Sequence, residues 1–288
     1  MKMIIREALL WGQKILQAQD KYLNPQIDSE QILEFILKIN KTKLYLNLEE
    51  PLSHWHKLRY QRLIKKRAKL YPLAYLLGTA AFYNLTLKIK TGVFVPRPET
   101  ELLVEELLKI LKSQKHAVTI SEIGIGSGAI ALALLHNAPE KIEKYYANDL
   151  SLKARQIAKT NARQYQLDTK LKIIAGKNLP PLQKYRAEIL IANPPYVPYK
   201  KYQTSPTIQN EPWRAITDKN DGLDFFRQLL NDLTKFNYYP EIIALEFDED
   251  TTTELLKVLK PLLKLYTHTI HKDWQGLDRF IVMKYKNK

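Results

Sequence analysis

Ser121-Glu122-Ile123-Gly124-Ile125-Gly126-Ser127-Gly128-Ala129 joins an apolar run at 117–123 to a helix-forming stretch near 128–136. Glycines at alternating positions let the backbone bend tightly and let a ligand approach it closely. The spacing is E-x-G-x-G-x-G. It lacks the third glycine position of a dinucleotide fingerprint, and no Lys-Ser/Thr pair follows as in a nucleotide phosphate loop. An acid shortly before the first glycine repels a pyrophosphate but can meet an ammonium group. Outward from this turn the chain alternates strand and helix. Strands are expected near 117–123, 143–148, 170–175, 187–192, 241–247, 264–270 and 279–285. Helices are expected near 99–112, 128–136, 151–166, 222–236 and 250–262. Such alternation predicts an α/β fold with a mostly parallel sheet covered on both faces. Only Lys272–Asp278 separates the last two apolar runs, which predicts an antiparallel pair at one end of the sheet.

Residues 1–78 read differently. Ile4, Ile5, Leu9, Leu10, Ile15 and Leu16 recur at helical spacing. Asp28-Ser29 offers cap candidates for a second helix through Ile32, Leu33, Phe35, Ile36 and Leu37, and helical pieces at 42–48 and 53–70 follow. These make a small N-terminal helical bundle. In 79–96, near-alternating Phe82, Leu85, Leu87, Ile89, Val93 and Phe94 with turns at Asn84 and Thr91-Gly92 predict a β-hairpin linker. The larger domain is expected to occupy 97–288.

Composition narrows the chemistry. With no cysteine among 288 residues, disulfides, thiolate metal sites and cysteine nucleophiles are excluded. The six histidines show no metal-ligand spacing, so no metal is expected. No apolar run is long enough to span a membrane and the start lacks a signal-peptide pattern, so a cytoplasmic protein without a membrane partner is expected. The net charge of +15 suits a polyanionic partner, although an AT-rich coding sequence rich in Lys, Ile, Asn and Tyr yields the same excess. Lys57, Arg59, Arg62, Lys65, Lys66, Arg67 and Lys69 form a local basic surface with no interleaved acid, a place for contact with nucleic acid.

The apolar run Ile189-Leu190-Ile191-Ala192 ends in Asn193-Pro194-Pro195-Tyr196. Loops leaving the strands of an open α/β sheet carry its chemistry. Two prolines make the segment stiff and leave carbonyl acceptors without N–H donors, so it can grip a planar NH2 group. A strand-ending proline turn is the competing reading of these residues alone. Ala147-Asn148-Asp149 places an acid about twenty residues after the glycine turn, suited to two ribose hydroxyls.

Together the turn, the acid and the strand count resemble class I S-adenosylmethionine-dependent methyltransferases, with a Rossmann-like seven-stranded sheet whose last strand is antiparallel. The resemblance implies S-adenosyl-L-methionine as cofactor, with Glu122, Gly124, Ile125, Gly126, Ser127 and Gly128 around its methionine moiety and Asp149 on its ribose. An acid often found near the adenine is replaced here by Gly176-Lys177-Asn178, leaving Asn178 as the polar candidate. Asn-Pro-Pro-Tyr resembles the signature of methyltransferases acting on planar nitrogens. It implies Asn193 and Pro194 as acceptors for the two N–H groups, Tyr196 packed on the planar group, and Pro195 beside the substrate. Asn193 also borders the cofactor. No general base is evident.

Phe94-Val95-Pro96-Arg97-Pro98-Glu99-Thr100-Glu101, Asn210-Glu211-Pro212-Trp213-Arg214-Ala215, Asp221-Gly222-Leu223-Asp224 and Lys272-Asp273-Trp274-Gln275-Gly276-Leu277-Asp278-Arg279 extend the likeness over essentially the whole chain. With the helical bundle they resemble the release factor glutamine methyltransferases. The resemblance implies N5-methylation of the glutamine in the Gly-Gly-Gln motif of class I peptide chain release factors, with 1–78 docking that partner. Glu246-Phe247-Asp248-Glu249 and Thr217–Asn220 depart from the family pattern, both outside the expected methyl-transfer centre. A nucleic-acid base N-methyltransferase could use the same tetrapeptide on rRNA, tRNA or DNA. A catalytically silent binding module is a third reading.

Overall fold

In the computed structural model, which describes residues 3–286, the chain divides into two compact units. One comprises the residues up to Thr79 together with Pro206–Asn210; the other comprises Ala80–Ser205 and the chain from Glu211 onward.

The first unit holds α1 (Ile5–Leu16), α2 (Pro25–Leu37), α3 (Lys41–Leu46), α4 (His54–Arg67) and α5 (Leu73–Leu77). α1 buries Ile5, Ala8, Leu9, Gly12 and Leu16, one helical stripe, against Ile32, Leu33 and Tyr60. The expected start of the second helix is corrected. Asn24, not Asp28 or Ser29, is the cap: its side chain accepts from the Ile27 N–H at 3.0 Å, and Pro25 pre-sets the first turn. Asp28 and Ser29 lie a turn further on and are buried. There Asp28 meets Arg67 at 2.8 Å, and the Ser29 hydroxyl donates to the Leu9 carbonyl at 3.2 Å. α4 buries only Tyr60 and Ile64, so Arg59, Arg62, Lys65, Lys66 and, just past its end, Lys69 remain exposed.

All but the first residue of a two-stranded sheet, β1 (Thr79–Phe82) and β2 (Leu85–Lys88), belongs to the second unit. It is bonded to this unit: the Thr86 N–H donates to the Tyr165 hydroxyl and the Lys88 N–H to Asn161 Oδ1, each at 2.8 Å. Then follow α6 (Glu99–Ser113), β3 (Val118–Ile123), α7 (Ala129–Asn137), β4 (Ile142–Asp149), α8 (Leu152–Gln164), β5 (Leu171–Ala175) and β6 (Ile189–Ala192). The remainder is α9 (Tyr199–Thr204), α10 (Asp224–Lys235), β7 (Ile242–Glu246), α11 (Thr252–Leu265), β8 (Tyr266–Lys272) and β9 (Asp278–Tyr285).

The seven-stranded sheet has the order β5-β4-β3-β6-β7-β9-β8. β9 is antiparallel to both β7 and β8, while the other neighbours pair in parallel. The α/β architecture, the helical N-terminal part and the antiparallel last strand are as the sequence predicts. Every residue of β6 and β7 is buried, which is why these strands read as unbroken apolar runs. α7 is buried from Ala129 through Leu135 and carries no polar face for the same reason. Strand order reverses between β3 and β6, and the register pairs Ile123 with Ala192. The glycine turn and Asn-Pro-Pro-Tyr therefore leave the sheet side by side, where such folds open a crevice.

Candidate active site

A cavity of about 400 Å³ occupies this crevice in the second unit. Its lining includes Glu122, Gly124, Ile125, Gly126, Ser127, Asp149, Asn178, Asn193, Pro194 and Pro195. Two predicted residues stand outside it. Gly128 is the cap of α7, with φ of 88°, and a Cβ there would lie 3.2 Å from the Leu132 side chain and 3.5 Å from the Ala158 Cα. Tyr196 turns its hydroxyl away to donate to Glu246 Oε1 at 2.6 Å, so its ring is half-buried against the core rather than lining the cavity.

Gly124, Gly126 and Gly128 all have positive φ (82°, 56° and 88°), a conformation costly for any side chain and the reason for alternating glycines. Asp149 fastens this turn: Oδ2 accepts from the Gly126 N–H at 3.0 Å and Oδ1 from the Ser151 N–H at 2.8 Å. A carboxylate has about four acceptor positions, so two stay available for ligand hydroxyls. Burial raises the Asp149 carboxyl above its usual range, and the two N–H donors pull it back. Asn148, to which the sequence pattern assigns no role, is fully buried and bridges two loops. Its Nδ2 donates to the Asn178 carbonyl at 2.7 Å, and the Gly124 N–H donates to its backbone oxygen at 3.0 Å. Its place beside Asp149 at the end of a buried strand was the available signal. Lys177 borders the cavity too, with its side chain largely exposed.

Glu122 is 2% exposed and accepts from the Tyr145 hydroxyl at 2.8 Å. Burial pushes its carboxyl up to about 8, against that hydrogen bond, and Asp149 adds to the rise. A cation seated in the cavity would relieve this. Unfolded, the same group ionises near 4.5. Between those values the native state keeps a proton that the unfolded state has lost. Stability therefore falls as pH rises through the window, by about 1.4 kcal/mol per pH unit for one group. Melting curves of the ligand-free protein from pH 5 to 8 are expected to decline more steeply for the parent than for Glu122→Gln. Parallel pH dependences would remove this reading of Glu122.

At the other wall, Asn193 Nδ2 donates to Thr100 Oγ1 at 3.1 Å, which leaves Asn193 Oδ1 available to an acceptor substrate. Thr100, in the first turn of α6, is buried and lines the cavity, and no spacing in the sequence singles it out from its motif. Three of the four flanking motifs meet at this wall. Arg97 forms an ion pair with Glu211, whose Oε2 also accepts from the Val95 N–H at 3.0 Å. Phe94, Pro96, Pro212 and Arg214 line the cavity. Gly222 passes so close to the Tyr196 carbonyl that a Cβ would lie 2.1 Å from it, so the Asp-Gly pair sets the back of the acceptor loop. Lys272–Arg279 does not reach the cavity. There Arg279 binds Asp273 and Glu249, while Lys201 binds Asp248, Glu249 and Asp250. Glu246 lines no part of the cavity but stands behind its wall, bonded to Tyr196 and beside Thr100. Its strand-end position opposite β6 places it there. Two acidic groups, Asp218/Asp221/Asp224 and Asp248/Glu249/Asp250, border no part of the cavity.

Glycine turn, acid and Asn-Pro-Pro meeting at the reversal of a seven-stranded sheet define a methyltransferase. Residues 7–78 match the PrmC N-terminal domain and residues 84–212 the methyltransferase small domain. The release factor glutamine methyltransferase of Moorella thermoacetica is 32% identical over 256 residues, 88% of this chain and 89% of that one. That of Aquifex aeolicus is 30% identical over 258 residues, again 88% and 89%. In fold, the N-terminal domain of human METTL16, solved in complex with SAH, aligns with a TM-score of 0.53 at 15% identity over 77% of this chain and 84% of that chain. The chain belongs to the release factor glutamine methyltransferase family, the one its motifs resemble. Among the described residues, no helix is long and apolar enough to cross a membrane.

Proposed function

We propose that this chain transfers a methyl group from S-adenosyl-L-methionine to the side-chain nitrogen of the glutamine in the Gly-Gly-Gln motif of class I release factors. The observation that carries the reading is the Asn193 amide, whose nitrogen is engaged by Thr100 so that its oxygen is left for a planar NH2 group. The residues suit the cofactor. Buried Glu122 lacks a counter-charge and fits an ammonium, and Asp149 keeps acceptor positions for ribose hydroxyls. Asn178 and Lys177 border the expected adenine end. The cofactor would supply an electrophilic methyl on sulfur.

The protein's part is positioning. Asn193 Oδ1 and the Pro194 carbonyl accept the two N–H groups, hold a weakly nucleophilic nitrogen in line, and leave one proton to be lost to solvent after transfer. Such alignment supplies much of the rate effect. Tyr196 acts from behind this wall, and Pro195 borders the substrate. The helical unit would dock the release factor. The exposed basic face of α4, whose Arg59, Arg62, Lys65 and Lys66 join Lys69 just past its end, could add contact with nucleic acid. Base methylation as the main activity is not favoured, since the relatives are named for glutamine. Incubation with methyl-labelled cofactor and a class I release factor should label the factor. Labelling that survives Gln→Ala in its Gly-Gly-Gln motif would overturn the proposal.

A further inference from the structure

An asparagine amide has two ends of nearly the same shape and opposite polarity, and only its oxygen can accept a substrate N–H. Something must decide which end faces the cavity. The Asn193 nitrogen donates to Thr100 Oγ1 at 3.1 Å, but a hydroxyl can accept or donate, and a threonine alone would tolerate either end. Next to it lies Glu246, 2% exposed at the end of β7. Its Oε1 accepts from the Tyr196 hydroxyl at 2.6 Å, while its Oε2 is buried with no formed hydrogen bond. The Thr100 hydroxyl is close enough to act on this carboxyl. A buried carboxylate oxygen without a donor is costly, and the threonine proton is the donor at hand.

We infer that Glu246 and Thr100 are positioning residues that set the polarity of Asn193. Burial raises the Glu246 carboxyl above its usual range, and the Tyr196 and Thr100 hydroxyls pull it back toward the ionised form; ionised, it only accepts. It accepts a hydrogen bond from the Thr100 hydroxyl, Thr100 then offers its lone pair, and the Asn193 NH2 turns toward it. Oδ1 is thereby held toward the cavity. Tyr196 occupies the other carboxylate oxygen, so the Thr100 proton has Oε2 to itself. The inference deepens the proposed function and rests on it for the identity of the acceptor, but the orientation of Asn193 is measurable without any substrate.

The first test is NMR on the ¹⁵N-labelled full chain, with the Asn193 side-chain amide assigned through Asn193→Ala. Exchange of the Asn193 amide protons with solvent is expected to be slowed about tenfold or more in the parent and in Thr100→Ser. It should accelerate several-fold in Thr100→Val, and in Glu246→Gln, whose amide can present NH2 to Thr100 as readily as oxygen. Protection unchanged in both of the latter overturns the inference. Cofactor affinity within about threefold of the parent shows that the variants are folded. The second test is kinetic. Thr100→Val should lower kcat about tenfold or more, Thr100→Ser should recover most of that loss, and Thr100→Val should add less than twofold in an Asn193→Ala background, because both changes remove one effect. Full additivity overturns the inference. Failure of the parent to label a release factor would count against the proposed function, while the exchange measurement still decides this one.

Discussion

Replacing Asn193 with alanine is expected to cut methyl-transfer turnover by on the order of 10²-fold or more while leaving the cofactor dissociation constant within about tenfold. The asymmetry follows from geometry. Asn193 follows Ala192, which pairs with Ile123, so the side chain stands beside the glycine turn but is bonded to Thr100 on the far wall. Truncation removes the acceptor that aims the substrate nitrogen and leaves the Glu122 and Asp149 positions untouched. Pro194 and Pro195 keep the loop stiff, so the backbone should not relax into the gap. Single-turnover rates with labelled cofactor, alongside calorimetric binding, separate the two quantities. A rate loss under tenfold, or a binding loss as large as the rate loss, would remove Asn193 from the acceptor role.

Asp149→Ala is expected to show the reverse emphasis, weakening cofactor binding on the order of 10²-fold or more. Two effects combine. The carboxylate would bond the ribose hydroxyls, and it also ties the Gly126 and Ser151 N–H groups, so its loss frees a turn whose glycines have no intrinsic preference for that shape. Calorimetric titration reads the first effect. Amide exchange at Gly126 reads the second, and faster exchange there is expected even without cofactor. Affinity unchanged to within threefold would exclude Asp149 from the cofactor site. Asp149→Asn should fall between, because one amide oxygen can still accept.

The sheet was legible because its central strands β6 and β7 are buried on both faces and most of its helices are amphipathic, so period and run length marked these elements. Asn193, Asp149 and the glycine turn were legible because they sit at strand ends, where topology makes residue type informative. Three features were not. Asn24 was passed over as a cap because Asp28-Ser29 looked like one, and only the fold shows those residues bonded to Arg67 and Leu9. Thr100 and Glu246 lie 146 positions apart and meet only when β6 and β7 bring the acceptor loop onto the start of α6. Tyr196 looked like a stacking surface because the tetrapeptide invites it. Its hydroxyl partner, which turns it away, lies on another strand.

The place of β9 has a bearing on how this molecule is made. β7 is hydrogen-bonded on one side to β6 and on the other to β9, and Glu246 lies opposite Phe280. During synthesis, β7 leaves the ribosome well before residues 278–285 and must wait with one edge unpaired. Such an edge invites pairing with other chains. The wall behind the acceptor therefore gains its second strand partner only from the last strand of the sheet to be synthesised.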